Sequence, residues 1–85
     1  MLLKEIGKFE FKGDLFIILE SKEKLVAGDK AGKVLYNYWV TIENYARIEN
    51  IFGLYERATA KEVWEYMCLY GLKYYVDELS GNSEE

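Results

Sequence analysis

Cys68 is the only thiol in the 85-residue chain, and there is no histidine to act as its base. A nucleophilic Ser, Thr or Cys needs a base held beside it, and histidine fills that role most often. The positions three and four residues from Cys68 are Trp64, Glu65, Gly71 and Leu72, none of them basic. Nothing there would favour a reactive thiolate. The expected role of Cys68 is that of a packed, inert side chain. The same shortages remove the His- and Cys-based metal sites and leave only carboxylate sites for Mg²⁺ or Ca²⁺. No D-x-D-x-D-G loop occurs, and the adjacent acids Asp77-Glu78 and Glu84-Glu85, near the end of the sequence, are expected to be solvated pairs. Neither a metal nor a cofactor is expected.

Two further chemistries fail on spacing. Gly28-Asp29-Lys30-Ala31-Gly32-Lys33 resembles a phosphate-binding loop only superficially. It is one residue short between its glycines, and Val34 stands where that loop needs Ser or Thr. A hairpin connection explains it. Acidic residues are many, but no spacing selects two of them as a catalytic acid and base. The protein is expected not to be an enzyme.

Two classes of binding residue remain. Lys4, Lys8 and Lys12 share a face if the first strand is continuous, and Lys22 and Lys24 follow at a turn. Such a face could meet a nucleic-acid backbone, which is the alternative function. Against it, Glu5, Glu10, Glu20 and Glu23 interleave with the lysines, and lysine on an exposed strand face also serves to block edge pairing. Tyrosine and tryptophan carry the stronger signal, because each joins rigid apolar area to a polar tip and suits a protein interface. Trp64, Leu69, Tyr70, Leu72, Tyr74, Tyr75 and Val76 crowd one stretch, with acids Glu62, Glu65, Asp77 and Glu78 beside them. They are the expected partner-contact residues.

Composition narrows the setting. Fourteen aromatic residues (eight Tyr, four Phe, two Trp) supply a large burial payload for so short a chain. The net charge is −4. Residues 1–42 are near neutral and residues 43–85 carry a net −5, which disfavours a general nucleic-acid binder. One cysteine cannot make an internal disulfide, and Lys4 and Glu5 interrupt any signal-like apolar start. The longest apolar run, Leu15–Leu19, falls far short of the roughly 20 residues of a bilayer span. A soluble, cytoplasmic protein is expected. The absence of His, Pro and Gln beside abundant Glu and Lys is also compatible with a thermophilic source.

These residues need elements to position them. Residues 2–12 read as a strand in which Phe9 and Phe11 oppose Lys8 and Glu10. Gly13-Asp14 reads as a two-residue hairpin loop. Leu15–Leu19 is apolar without alternation and reads as a central strand covered on both faces. Ser21–Lys24 reads as a turn, Leu25–Ala27 as a short third strand, and Lys33–Ile42 as the longest strand, with Val34, Tyr36, Tyr38, Val40 and Ile42 on one face. Tyr45, Ile48, Phe52 and Tyr55 recur at helical spacing and predict a helix over 44–57, weakened or ended by Gly53.

A second helix is predicted over Thr59–Leu79. Thr59-Ala60-Lys61-Glu62 is a capping box, and the stretch has no proline and one glycine, Gly71. Its apolar arc spans roughly 160° or more, whereas a helix leaning on one sheet needs little more than about 100°. Gly71 is the residue that would end it early and leave 72–79 as a further strand.

The fold class is therefore α+β: a four-strand antiparallel β-meander followed by two C-terminal α-helices packed on one face. Residues 1–79 form one domain and 80–85 a frayed acidic tail. The expected function is that of a small interaction module, a regulator, adaptor or inhibitor, working through the aromatic second helix. Its partner is another protein, with a homodimer as the simplest case.

Overall fold

The computed structural model describes residues 2–81. A four-stranded antiparallel sheet is followed by two helices: β1 (Lys4–Phe11), β2 (Asp14–Lys24), β3 (Val34–Ile42), β4 (Glu49–Leu54), α1 (Ala60–Tyr70) and α2 (Leu72–Ser80). The strands lie in the order β1-β2-β3-β4. The class and the meander are those expected from the sequence. Three elements differ from the expectation: the strand at 25–27, the helix over 44–57 and the single helix over 59–79. Among the described residues no helix is long and apolar enough to cross a membrane.

Phe11 pairs with Asp14, so the first hairpin turns on Lys12 and Gly13, one residue earlier than expected. Both have positive φ, 51° and 86°, as a type I′ turn requires of its two central residues. β2 then runs straight through Ser21–Lys24, which is strand and not turn, to a last pair at Lys24 and Val34. Leu25–Ala27 is not a strand. Leu25 exchanges two backbone hydrogen bonds with Gly32 and Lys33, and Val26 beyond it is 88% exposed. The long partner β3 supplies ladder positions that keep the polar residues of β2 in the sheet.

The predicted helix over 44–57 is instead a turn and the edge strand β4. Asn44 takes a left-handed φ of 79°, which its short side chain tolerates, and the chain doubles back. Tyr38 pairs with Phe52 and Trp39 with Asn50, so Ile51 is the extra residue of a β-bulge. The bulge lets Ile51 and Phe52 both reach the core, which hides the period of two and imitates a helical face. Ile48 and Tyr55, which would share that face, are exposed. Gly53 belongs to this strand because a Cβ there would stand 2.7 Å from Asn37 Oδ1 on β3.

The core lies between one sheet face and the helices. Phe16, Ile18, Tyr38, Val40 and Ile42 meet Val63 and Met67 of α1 and Leu72, Tyr75 and Leu79 of α2. β2 is covered by helices on this face only. Leu15, Ile17 and Leu19, with Trp39 of β3, stay half-buried on the other. α1 starts as predicted: Glu62 N–H donates to Thr59 Oγ1 (3.1 Å) and Thr59 N–H to Glu62 Oε1 (2.8 Å). It ends at Gly71, whose φ of 89° breaks the rod. Beyond the break the chain forms a second helix, neither a continuation of the first nor a strand. In one straight helix the pair Val63 and Met67 would point about 130° away from Leu72, Tyr75 and Leu79. The break turns both sets onto one core. Ser80 is the last residue of α2 and Gly81 caps it; the rest of the expected tail lies outside the described residues.

A polar cluster holds the link into α1 on the sheet. Glu20 follows Phe16 and Ile18 on the helix-covered face and is only 5% exposed. Arg57 donates to both its oxygens, at 3.1 and 2.9 Å, and Tyr38 donates its hydroxyl to Oε2 at 2.8 Å. The Ala58 N–H donates to the Tyr38 hydroxyl at 2.8 Å. Burial pushes the Glu20 carboxyl up, but the hydrogen bonds from Arg57 and Tyr38 outweigh it and hold the group below its ordinary value. A depressed carboxyl stabilises the fold above its unfolded-state pKa, and that contribution is lost as the pH falls through the folded value. Glu20→Gln should therefore lower stability by about 1–3 kcal/mol at neutral pH. It should also flatten the loss of stability below pH 4.5, the carboxyl's ordinary value, as read by urea midpoints across the acid range.

α1 also rests closely on β1. A Cβ added at Gly7 would lie 2.6 Å from Ala60 Cβ. Gly7→Ala is expected to cost about 1–3 kcal/mol by overpacking. Adding Ala60→Gly should restore part of that loss, a coupling that a double-mutant cycle measures.

Candidate functional site

The helix break divides the tyrosines. Tyr66 and Tyr70 end α1, Tyr74 and Tyr75 begin α2, and edge strand β4 passes beside them. Together with Glu49, Asn50 and Ile51 they line a cleft of about 360 Å³. Tyr66 donates its hydroxyl to the Tyr70 hydroxyl at 2.6 Å, with ring centroids 4.8 Å apart and planes at 83°. Tyr74 and Tyr75 meet in the same edge-on manner, 5.1 Å apart and also at 83°. Phe52 braces Tyr66 from β4 at 4.6 Å.

The hydroxyls feel one another. Burial, then the neighbouring Tyr66, Tyr74, Tyr70 and Glu49, push the Tyr75 hydroxyl up to about 12. The negative charge of Glu49 raises Tyr74, with burial and Glu78 adding to it. The hydrogen bond to Tyr70 raises Tyr66. Tyr66, Tyr74 and Tyr75 are thus all held in the neutral form more firmly than a free phenol.

The seven residues expected to form a partner surface separate into three groups. Leu72 and Tyr75 are buried in the core and leave that surface. Trp64 and Val76 are half-buried; Trp64 stacks on Phe9 at 4.9 Å and meets Phe16 edge-on at 5.2 Å, so it anchors α1 to the sheet. Leu69, Tyr70 and Tyr74 remain exposed, at 87%, 63% and 51%. Cys68 is exposed beside them and is not the packed thiol expected, because α1 turns Val63 and Met67 inward and the next residue outward.

The lysines do not form one face. The register shifts between Glu5 and Gly7, which sets Lys4 opposite the buried Glu20 and Lys8 opposite Ile17 on the other side of the sheet. Lys8 pairs with Glu5 at 3.7 Å. Lys12 is in the first turn, and Lys22 and Lys24 follow the alternation of Phe16, Ile18 and Glu20 at the far end of β2. The bulge is what separates them. Among the described residues no group of three His, Cys, Asp or Glu side chains is placed to hold a metal ion.

Sequence reasoning missed Glu49, Asn50 and Ile51, because they lay inside a predicted helix, and did not place Tyr66 among the contact residues. The acid–aromatic pattern Glu49-Asn50-Ile51-Phe52 is legible as a short edge strand only once its bulge is known. The chain matches no family model, and no curated protein and no solved structure is significantly similar to it.

A raised phenol stabilises the fold below its unfolded-state value, and that contribution is lost as the pH climbs to the folded one. Tyr75 therefore contributes to alkaline unfolding between pH 10, its ordinary value, and about 12. Tyr75→Phe should flatten that limb by about 2–3 kcal/mol across the window. Denaturant midpoints at rising pH, with phenolate absorbance recorded in parallel, check it.

Proposed function

We propose that this protein is a non-enzymatic interaction module whose partner surface is the exposed rim of the α1–α2 corner. The observation that carries this reading is the grouping of Leu69, Tyr70 and Tyr74 around the tyrosine cleft. Three large side chains stand out in solvent at one helix break, while their neighbours fill the core. Exposed aromatics beside a preformed cleft are the anatomy of a contact centre. The acids Glu49 and Glu78 near the cleft favour a partner with a basic or polar rim. The lone exposed Cys68 suits a reducing, cytoplasmic setting.

A second copy of the chain is a partner in its own right. The open sheet face favours it independently: Leu15, Ile17, Leu19 and Trp39 are half-buried there with no helix over them among the described residues. An apolar sheet face of this kind is normally covered.

Sedimentation velocity from low to high micromolar concentration separates the surfaces. The expected result is a concentration-dependent dimer that Tyr70→Asp weakens at least about tenfold. A dimer that survives Tyr70→Asp but is lost in Ile17→Lys places the contact on the sheet. A monomer at every concentration removes self-association. Cross-linked partners retained unchanged by both Leu69→Asp and Tyr70→Asp would remove the helix rim as a partner surface.

A further inference from the structure

Four of the seven residues lining the cleft are tyrosines, and its charge is of one sign. None of its lining residues is basic. Tyrosine ring faces are electron-rich and attract cations within about 6 Å of the ring centroid. Tyr66 meets Tyr70 at 83°, and Tyr74 meets Tyr75 at the same angle. Each pair thus holds its two rings nearly perpendicular at the cleft.

Glu49 adds a full negative charge. It is half-buried, yet among the described residues no lysine or arginine pairs with it. Arg57 is engaged with Glu20, and Lys73 is held by Asp77 at 2.8 Å. Glu49 is half-buried among phenol rings and shares a hydrogen bond with the Tyr74 hydroxyl, which leaves its negative charge without a cation among the described residues. The Tyr74 hydroxyl, raised first by the charge of Glu49, shows that this charge is felt at the cleft's rings.

We propose that the cleft binds an ammonium cation, the end of a lysine side chain presented by the partner, with or without methyl groups. This deepens the interaction reading above and rests on it. Glu49 would meet the charge, and Tyr66, Tyr70 and Tyr74 would replace part of the water lost from the ammonium. A volume of about 360 Å³ suits a side-chain end better than a folded segment. Tyr75 works from below, as a buried floor held to α2's core face.

The test uses the intact chain and three small probes: Nα-acetyl-lysine amide, its trimethyl-lysine counterpart, and the neutral isostere of the latter with carbon in place of nitrogen. Backbone amide shifts are followed by NMR during titration. Both cations are expected to move the signals of Asn50, Tyr70 and Tyr74, and the isostere to bind about tenfold or more weakly. If only the trimethyl probe binds, the cleft takes modified lysine; if both bind, it takes either. Glu49→Gln should weaken the cations about tenfold and leave the isostere unchanged. The variant lies on an edge strand, and its amide spectrum shows directly that it folds.

Equal binding of isostere and cation overturns the proposal, as does the absence of any shift, or cation binding unchanged by Glu49→Gln. Leu69→Asp, outside the cleft lining, keeps the two readings apart. Lost partner capture with intact ammonium binding preserves the site. Ammonium binding that Leu69→Asp leaves intact and Glu49→Gln removes, with partner capture unchanged by both Leu69→Asp and Tyr70→Asp, overturns the wider surface and leaves the cation site standing.

Discussion

The carboxylate of Glu20 is the fixed point of this fold. It sits on the helix-covered face of the sheet, where an unpaired charge would be costly. Arg57, Tyr38 and, through the Tyr38 hydroxyl, the Ala58 N–H complete it. These partners come from β3 and from the link between β4 and α1, so satisfying one charge positions the start of α1. Thr59 then caps the helix, and the contact of Ala60 with Gly7 sets how near it lies to β1. A hydrophobic side chain at residue 20 would bury as well but would not select where the link comes down.

The second constraint is Gly71. Its positive φ converts one broad amphipathic stretch into two short helices with separate faces. Most of the apolar width that looks excessive on a single wheel is core seen from two directions. Leu72 and Tyr75, which a straight helix would have turned away from the face of Val63 and Met67, are buried by the break. The remainder is small and local: Leu69, Tyr70 and Tyr74. The large apolar surface left exposed along this stretch is therefore a corner, and not the long helical stripe that the sequence suggested.

That corner owes its chemistry to an edge strand. The bulge at Ile51 sends Ile51 and Phe52 into the core and leaves Glu49 beside the tyrosines. Without it, successive residues would alternate across the sheet and the cleft would lose either its brace, Phe52, or its charge. The same kind of irregularity between Glu5 and Gly7 splits the lysines between faces. Two single-residue bulges thus assemble one candidate site and disperse another.

Local signals determined much of this protein from the sequence alone. The capping box of Thr59, the alternation of Val34–Ile42, the glycine of the first hairpin and the α+β class all depend on contacts within a few residues, which spacing reveals directly. Tertiary structure decided the rest. Whether 44–57 was helix or strand turned on a free edge of β3 that needed a partner, and on close approaches such as Gly53 to Asn37. Whether Leu25–Ala27 was strand turned on how far β3 let β2 run. The burial of Glu20 depended on partners distant in sequence, Tyr38 and Arg57. Which tyrosines are core and which are rim was set by a single backbone torsion at Gly71, because rotating one helix against another moves every side chain beyond it to a new face.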